Sequence, residues 1–276
     1  MISAILKYQF LQNAVLSGIL TSIVCGIIGV IVIEKKLVMM SGGIAHTSYG
    51  GIGLGYLLGF KPIIGAFLFA VGASLAIGGI SRRKKTNSDV IIGLFWSLGM
   101  ALGILFVSLM PGYPPDMTSY LFGNILSVTK EDILLMIILT VIVAFSVIMF
   151  FDYWKTYLFD EEFAAVMGIN TTFMDYALLV LVALTVVVMI RAVGIILVLA
   201  LLTAPAATAG LIFRRFKARI VCAVLLGNVF CYVGLWLSYR LNIASGACIV
   251  ILSAVCYFAV YILKSLLVQK RAVRSE

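Results

Sequence analysis

The sequence is a succession of apolar runs, each about as long as the ~20 residues that cross a bilayer, separated by short turns that hold most of the charges. Of 276 residues, 63% are hydrophobic and only 11% charged, and the mean hydropathy is +1.20. A soluble domain carries about 25% charged residues, so one water-facing shell cannot hide this much apolar surface. That excludes a soluble enzyme, a disordered chain and a disulfide scaffold. At roughly 30 residues per span with its turn, the chain holds about nine spans and leaves no room for a soluble domain.

The runs fall at 13–33, 37–59, 62–80, 89–110, 133–151, 173–190, 193–212, 218–238 and 243–264. The expected fold is an all-α polytopic membrane protein with about nine transmembrane helices. The number becomes eight if the sixth and seventh runs, which nearly touch at Arg191, form one bent element. A proline-bearing loop at 111–115 and a short interfacial helix within 119–127 separate the fourth and fifth runs. One transmembrane domain over residues 1–276 is expected. The start of the chain lacks the basic opening, short apolar centre and small-residue cleavage site of a secretory signal.

Charge counting orients the chain. With the loop of Arg82, Arg83, Lys84 and Lys85 inside, alternation also places inside Lys35, Lys36, Lys155, Arg214, Arg215, Lys217, Arg219, Lys264, Lys270, Arg271 and Arg274. Only Lys7, Lys61, Lys130, Arg191 and Arg240 fall outside. Lysine and arginine in short loops mark the cytoplasmic side, so the N-terminus is expected outside and the C-terminus inside. The net charge of +9 is then topology, with no solvated basic face for nucleic acid. Cys25, Cys222, Cys231, Cys248 and Cys256 all lie in apolar runs without a C-x-x-C pair, and read as small buried hydrophobes.

Catalytic motifs are missing. There is no G-x-x-x-x-G-K-[ST] phosphate cradle, no H-E-x-x-H and no G-x-S-x-G. The chain reads as no enzyme, and it binds no ATP itself. Its only histidine, His46, lies in SGGIAHTSYGGIGLGYLLG (residues 41–59). Helical spacing puts Gly42 or Gly43, His46, Gly50 and Gly53 along one face, where glycine lets another helix or a solute approach the backbone. A polar ring at membrane depth has to face protein or water. His46 is therefore either a transient metal ligand, since neutral imidazole binds Zn, Mn or Fe, or an interhelical hydrogen-bonding group. Ser41, Thr47 and Ser48 are weaker oxygen donors nearby. Met39 and Met40 read as packing residues. Asp89 and Asp175 read as first-turn carboxylates at helix starts, and Arg191 as a lipid anchor or pore-mouth residue.

Two segments on the inner side look like docking surfaces. In FDEEFAAVMGIN (residues 159–170), Phe163, Val166 and Met167 recur at helical spacing behind the acidic start Asp160–Glu161–Glu162. In LLTAPAATAGLIFRRFKAR (residues 201–219), Pro205 frees a backbone carbonyl and kinks or ends a helix, and the small residues Ala206, Ala207 and Thr208 permit a tight turn or close packing. Arg214 and Arg215 follow. Together they suggest a short helix pressed on a partner.

From about residue 13 to 267 the sequence resembles the permease subunits of metal-importing ABC transporters, which carry zinc, manganese or iron. The pieces that carry the resemblance are the 41–59 stretch, DVIIGLFWSLGMALGILFVSL (89–109), YLFGNILSVTKED (120–132), FDEEFAAVMGIN and GIILVLALLTAPAATAGLIFRR (194–215), in this order and spacing. The resemblance implies a multi-pass protein of a prokaryotic plasma membrane. It implies that His46, with Ser41, Thr47 and Gly50, lines the translocation path and touches the metal in passing. It implies that Pro205, Ala206, Ala207, Thr208, Arg214 and Arg215 form the coupling region that meets the ATPase, with Glu161 and Phe163 as a second contact. The implied partners are a pair of cytoplasmic ATPase subunits that bind ATP, an extracellular metal-binding protein, a second copy or close homologue of this chain, and membrane lipid. The cargo is a divalent metal, and no cofactor resides on this chain.

One departure stands out. Many members carry an aspartate one helical turn before the histidine, where this chain has Gly42. That removes a hard oxygen donor. A permease for a chelated metal, of siderophore or corrinoid type, is the alternative, and a secondary carrier without an ATPase is another. The carrier predicts buried carboxylates in the spans, of which the sequence shows few.

Overall fold

Apolar runs with no hydrogen-bonding alternative in lipid must satisfy their backbone internally, and only helices do so within one segment. The computed structural model describes residues 8–82, 88–112, 117–123 and 125–273, and their regular structure is entirely helical. In order, the helices are α1 Gln9–Glu34, α2 Val38–Leu58, α3 Pro62–Arg82, α4 Ser88–Ser108, the short α5 Thr118–Phe122 with a 3-10 turn at Ile125–Ser127, α6 Lys130–Met149, α7 Phe151–Phe159, α8 Glu161–Val166, α9 Thr171–Val193, α10 Ile195–Ile212, α11 Phe216–Leu241 and α12 Ser245–Val273. Nine of these have 18 residues or more, matching the nine runs. Eight are long and apolar enough to cross a membrane. The ninth, α2, is diluted by its glycines and by His46, and the other helices shield it. From Met40 to Gly53 every residue except His46 is buried. Lys7, Arg83, Lys84, Lys85 and Arg274 of the charge balance, and Pro114 and Pro115 of the expected loop at 111–115, lie outside the described residues.

The sixth and seventh runs are two helices, not one bent element. Gly194 separates α9 from α10 with φ +82°, a conformation that favours glycine. Its backbone lies directly against that of Gly123, so a side chain at either position would collide with the other strand of the crossing. Other junctions have equally local causes. Pro62 opens α3, where its missing N–H costs nothing. Thr129 and Asp132 form a capping box at α6. Asn170 caps α9 by accepting a hydrogen bond from the Phe173 amide at 3.0 Å.

Glycines set the central packing. Gly51 of α2 and Gly65 of α3 meet backbone to backbone, and Gly55 faces Pro62. On the other side of α2, Gly99 and Gly103 of α4 meet Thr47 and Tyr49, while a Cβ on Gly50 would lie 2.9 Å from the Gly99 carbonyl. These are the close small-residue crossings of membrane bundles. Contacts rise in register, with Gly43 on Ile92 and Gly53 on Gly103, so α2 and α4 run parallel. The centre of the bundle is α1, with 78% of its apolar window covered, and α9 with 67%. Only 22% of the most apolar stretch of α4 and 17% of that of α12 are covered, so these two helices form the open flanks.

Candidate transport site

His46 is the one half-exposed residue in the buried middle of α2, and it looks toward α4. Its ring stacks on Trp96, with centroids 4.1 Å apart and an interplanar angle of 11°. Its Nδ1 lies 3.4 Å from Sδ of Met100. Trp96 and Met100 are one turn apart on α4, so the parallel crossing delivers both to the same imidazole. The stack fixes the ring plane, and the thioether fixes which nitrogen points along the helix gap. Among the described residues, no group of three or more His, Cys, Asp and Glu converges to hold a metal ion.

The other expected pathway residues sit differently. Ser41 is buried and donates to the Val38 carbonyl at 2.8 Å. The Thr47 hydroxyl lies 2.7 Å from the Gly43 carbonyl and 3.0 Å from that of Phe95, pinning α2 to α4. Gly50 is consumed by the contact with Gly99 and the Phe69 ring. Serine and threonine hydroxyls at membrane depth satisfy themselves on the nearest carbonyl, so of these four only His46 reaches the flank. Trp96 and Met100 were not singled out from the sequence. Their i, i+4 spacing was visible, but their meeting with His46 depends on the glycine crossing.

The end of the bundle where α1 turns into α2 carries an ion cluster. Lys35 lies 2.9 Å from Glu161, which is also 3.9 Å from Arg82, and Arg82 lies 2.6 Å from Asp175. The Tyr157 hydroxyl donates to Asp175, and Lys35 stands 3.5 Å over the Tyr157 ring. Arg219 pairs with Glu34 at the same end. Asp175 is thus an ion-pair residue one turn into α9, not a first-turn cap. Asp89 does lie in the first turn of α4. The cluster ties α8 to the α1–α2 turn, the end of α3 and the start of α9. Around it, Phe159 is 90% exposed and Val166 86%, and Phe163 and Met167 are exposed as well.

The expectation for Pro205, Ala206, Ala207 and Thr208 needs correcting. They lie inside the long helix α10, with Pro205, Ala206 and Thr208 buried and Ala207 half-buried. The Thr208 hydroxyl is spent on the Ala204 carbonyl at 2.7 Å, and the Leu202–Ala206 turn packs on Gly29 of α1. Of these four residues, only Ala207 keeps part of its surface accessible. Arg214 and Arg215, in contrast, are exposed at the α10–α11 turn.

At the opposite end of the bundle, the exposed Arg191 lies 2.6 Å from the buried Asp132 of α6. Asn13 donates to the Val128 carbonyl at 3.1 Å, and the Tyr56 and Tyr120 hydroxyls lie 3.1 Å apart. Burial, then the Tyr56 hydroxyl, push the Tyr120 phenol above its usual range.

Residues 7–264 match the ABC 3 transport family. The chain belongs to that family. Among similar proteins, the membrane protein slr2045 of Synechocystis is 40% identical over 252 residues, 91% of this chain and 90% of that one. The manganese transport system membrane protein MntC of Listeria monocytogenes is 34% identical over 261 residues, 95% and 93% of the two chains. A chain in the structure of PsaBC from Streptococcus pneumoniae in complex with Fab superposes with a TM-score of 0.85 at 32% identity, covering 94% of each chain. The resemblance read from residues 13–267 is therefore a family membership, and the ABC 3 fold is a multi-pass membrane bundle.

Proposed function

We propose that this chain is the permease subunit of an ATP-binding-cassette importer that moves a transition-metal ion into the cytoplasm by alternating access. The observation that carries the reading is the placement of its one histidine. His46 stands mid-helix, half-exposed, on the flank that α4 leaves open, within a chain that matches a manganese transport membrane protein almost end to end. A lone imidazole at membrane depth is costly unless it lines a path or meets a partner.

The open α4 and α12 flanks receive a second copy or close homologue, so that the path runs between two bundles as one transmembrane domain each. By the positive-inside rule, α7, α8 and both loop arginines lie on the cytoplasmic side and the N-terminus outside. The ATPase pair docks on α8 and its flanks through Phe159, Phe163, Val166 and Met167, with Arg214 and Arg215 at the rim. Glu161 faces inward and passes the movement of α8 to Lys35 and Arg82. Since Lys35 begins the turn into α2, a displacement of α8 reaches the helix that carries His46. An extracellular metal-binding protein delivers the ion, and ATP is bound and hydrolysed on the partner alone.

The test is uptake by vesicles holding this chain with its ATPase and binding protein, offered Mn, Zn, Fe and an iron chelate in parallel. ATP-dependent uptake of a bare ion, lost with a hydrolysis-dead ATPase, is expected. Uptake of the chelate alone overturns the bare-ion reading, and uptake that ignores the ATPase overturns the importer.

A further inference from the structure

We infer that the His46–Met100 pair selects a thiophilic cation, Cu⁺ or Zn²⁺, ahead of Mn²⁺. The argument starts with what is next to the imidazole. A sulfur ligand stands 3.4 Å from Nδ1. Metal–nitrogen bonds of about 2.0 Å and metal–sulfur bonds of about 2.3 Å, meeting at a tetrahedral angle, place the two donors roughly 3.4–3.6 Å apart. The pair is therefore already at the bite of one shared ion, with no movement of α2 against α4. Binding forms one N–metal bond through the Nδ1 lone pair and one S–metal bond, each replacing a water of the ion, while the neutral ring keeps its single proton on Nε2.

The second observation is what has been removed. A carboxylate one turn before His46 would supply the hard oxygen that suits Mn²⁺, whereas thioether sulfur suits the soft end of the series and imidazole the middle. Gly42 has no side chain, and the space above it is filled. A Cβ built there would lie 3.2 Å from Cζ3 and 3.7 Å from Cη2 of Trp96. The indole that stacks on His46 thus also covers the place of the missing oxygen donor. The nearby hydroxyls of Ser41, Thr47 and Ser48 each lie within 2.8 Å of a carbonyl of their own helix. One nitrogen, one sulfur and an aromatic wall remain. Two protein donors hold an ion loosely enough to release it, as conduction requires.

This inference relies on the importer reading only for the direction of transport, and its test is made on the purified chain. With Trp154→Phe and Trp236→Phe, Trp96 is the single indole, and its emission reports on the stacked imidazole. Titration with Cu⁺ (under reducing conditions) or Zn²⁺ is expected to change that emission at concentrations at least tenfold below those needed with Mn²⁺. His46→Ala should abolish the response. Met100→Leu, which conserves volume, should move the midpoint for the thiophilic ions at least tenfold upward while leaving that for Mn²⁺ unchanged. Gly42→Asp combined with Trp96→Leu, read by ATP-driven uptake in vesicles, should raise Mn²⁺ transport at least fivefold. A midpoint indifferent to Met100→Leu, or Mn²⁺ acting at the lowest concentration, overturns the inference. Wild-type vesicles that move no ion, with the emission response intact, overturn the importer reading and leave the site standing.

Discussion

Replacing Arg191 by methionine should cost far more stability than replacing its partner Asp132 by asparagine. Asp132 is nearly sealed, with 7% of its side chain exposed, while Arg191 keeps 35%. The carboxylate also accepts from the Thr129 amide at 3.0 Å and the Thr129 hydroxyl at 2.6 Å. Arg191→Met leaves that carboxylate charged, buried and without a counter-ion, a loss of about 3–5 kcal/mol for a broken buried pair. Asp132→Asn keeps an acceptor oxygen for Thr129 and frees an arginine that reaches water, so the cost should be about 1–2 kcal/mol. The double variant should recover most of the difference, because the stranded charge is gone. Heating the detergent-solubilised chain and measuring the fraction that stays monodisperse gives a Tm for each of the four proteins, and the double-mutant cycle isolates the pair. An Arg191→Met variant no weaker than Asp132→Asn, or a double variant as weak as Arg191→Met, would refute the electrostatic argument.

His46→Ala should abolish uptake with normal membrane insertion, and a well-expressed variant that transports normally would show that the imidazole is dispensable. Phe163→Asp changes an exposed side chain, so it should leave the bundle intact and sharply weaken co-purification of the ATPase; unchanged co-purification counts against α8 as the docking helix. Arg214→Glu with Arg215→Glu should weaken docking less, since these residues stand at the rim, and the comparison with Phe163→Asp ranks the two surfaces. Gly51→Leu drives a side chain into the Gly65 backbone and should eliminate folded protein, whereas Gly72→Leu, with nothing within 4 Å of its Cβ, should be tolerated; equal yields would deny the α2–α3 crossing.

The nine runs were legible because lipid leaves the backbone a single option, and composition alone then locates each helix. The sixth and seventh runs stayed ambiguous because their break is one glycine conformation, which hydropathy does not register. His46 was conspicuous as the only ring of its kind. Its neighbours Trp96 and Met100 were not, since they read as ordinary apolar residues until α2 and α4 are set parallel and in register. Pro205 misled because proline signals a helix end in water, while a membrane helix surrounded by others absorbs it. Arg191 and Asp132 lie 59 positions apart, and no local pattern announces such a pair.

The end of the bundle that holds Gly112, Gly123 and Gly194 offers very different tolerance to added chain. Where Gly123 and Gly194 cross, the two backbones touch, and an inserted epitope would have to pry apart α5 and the α9–α10 junction. Gly112 turns with φ +98° and has nothing within 4 Å of a built Cβ, so a tag there has free space in front of it. A tag at 112 that is read by antibody on intact cells would fix that loop on the outside, and with it the sidedness of every helix. The same handle would let the protein be captured from that face without disturbing either His46 or α8.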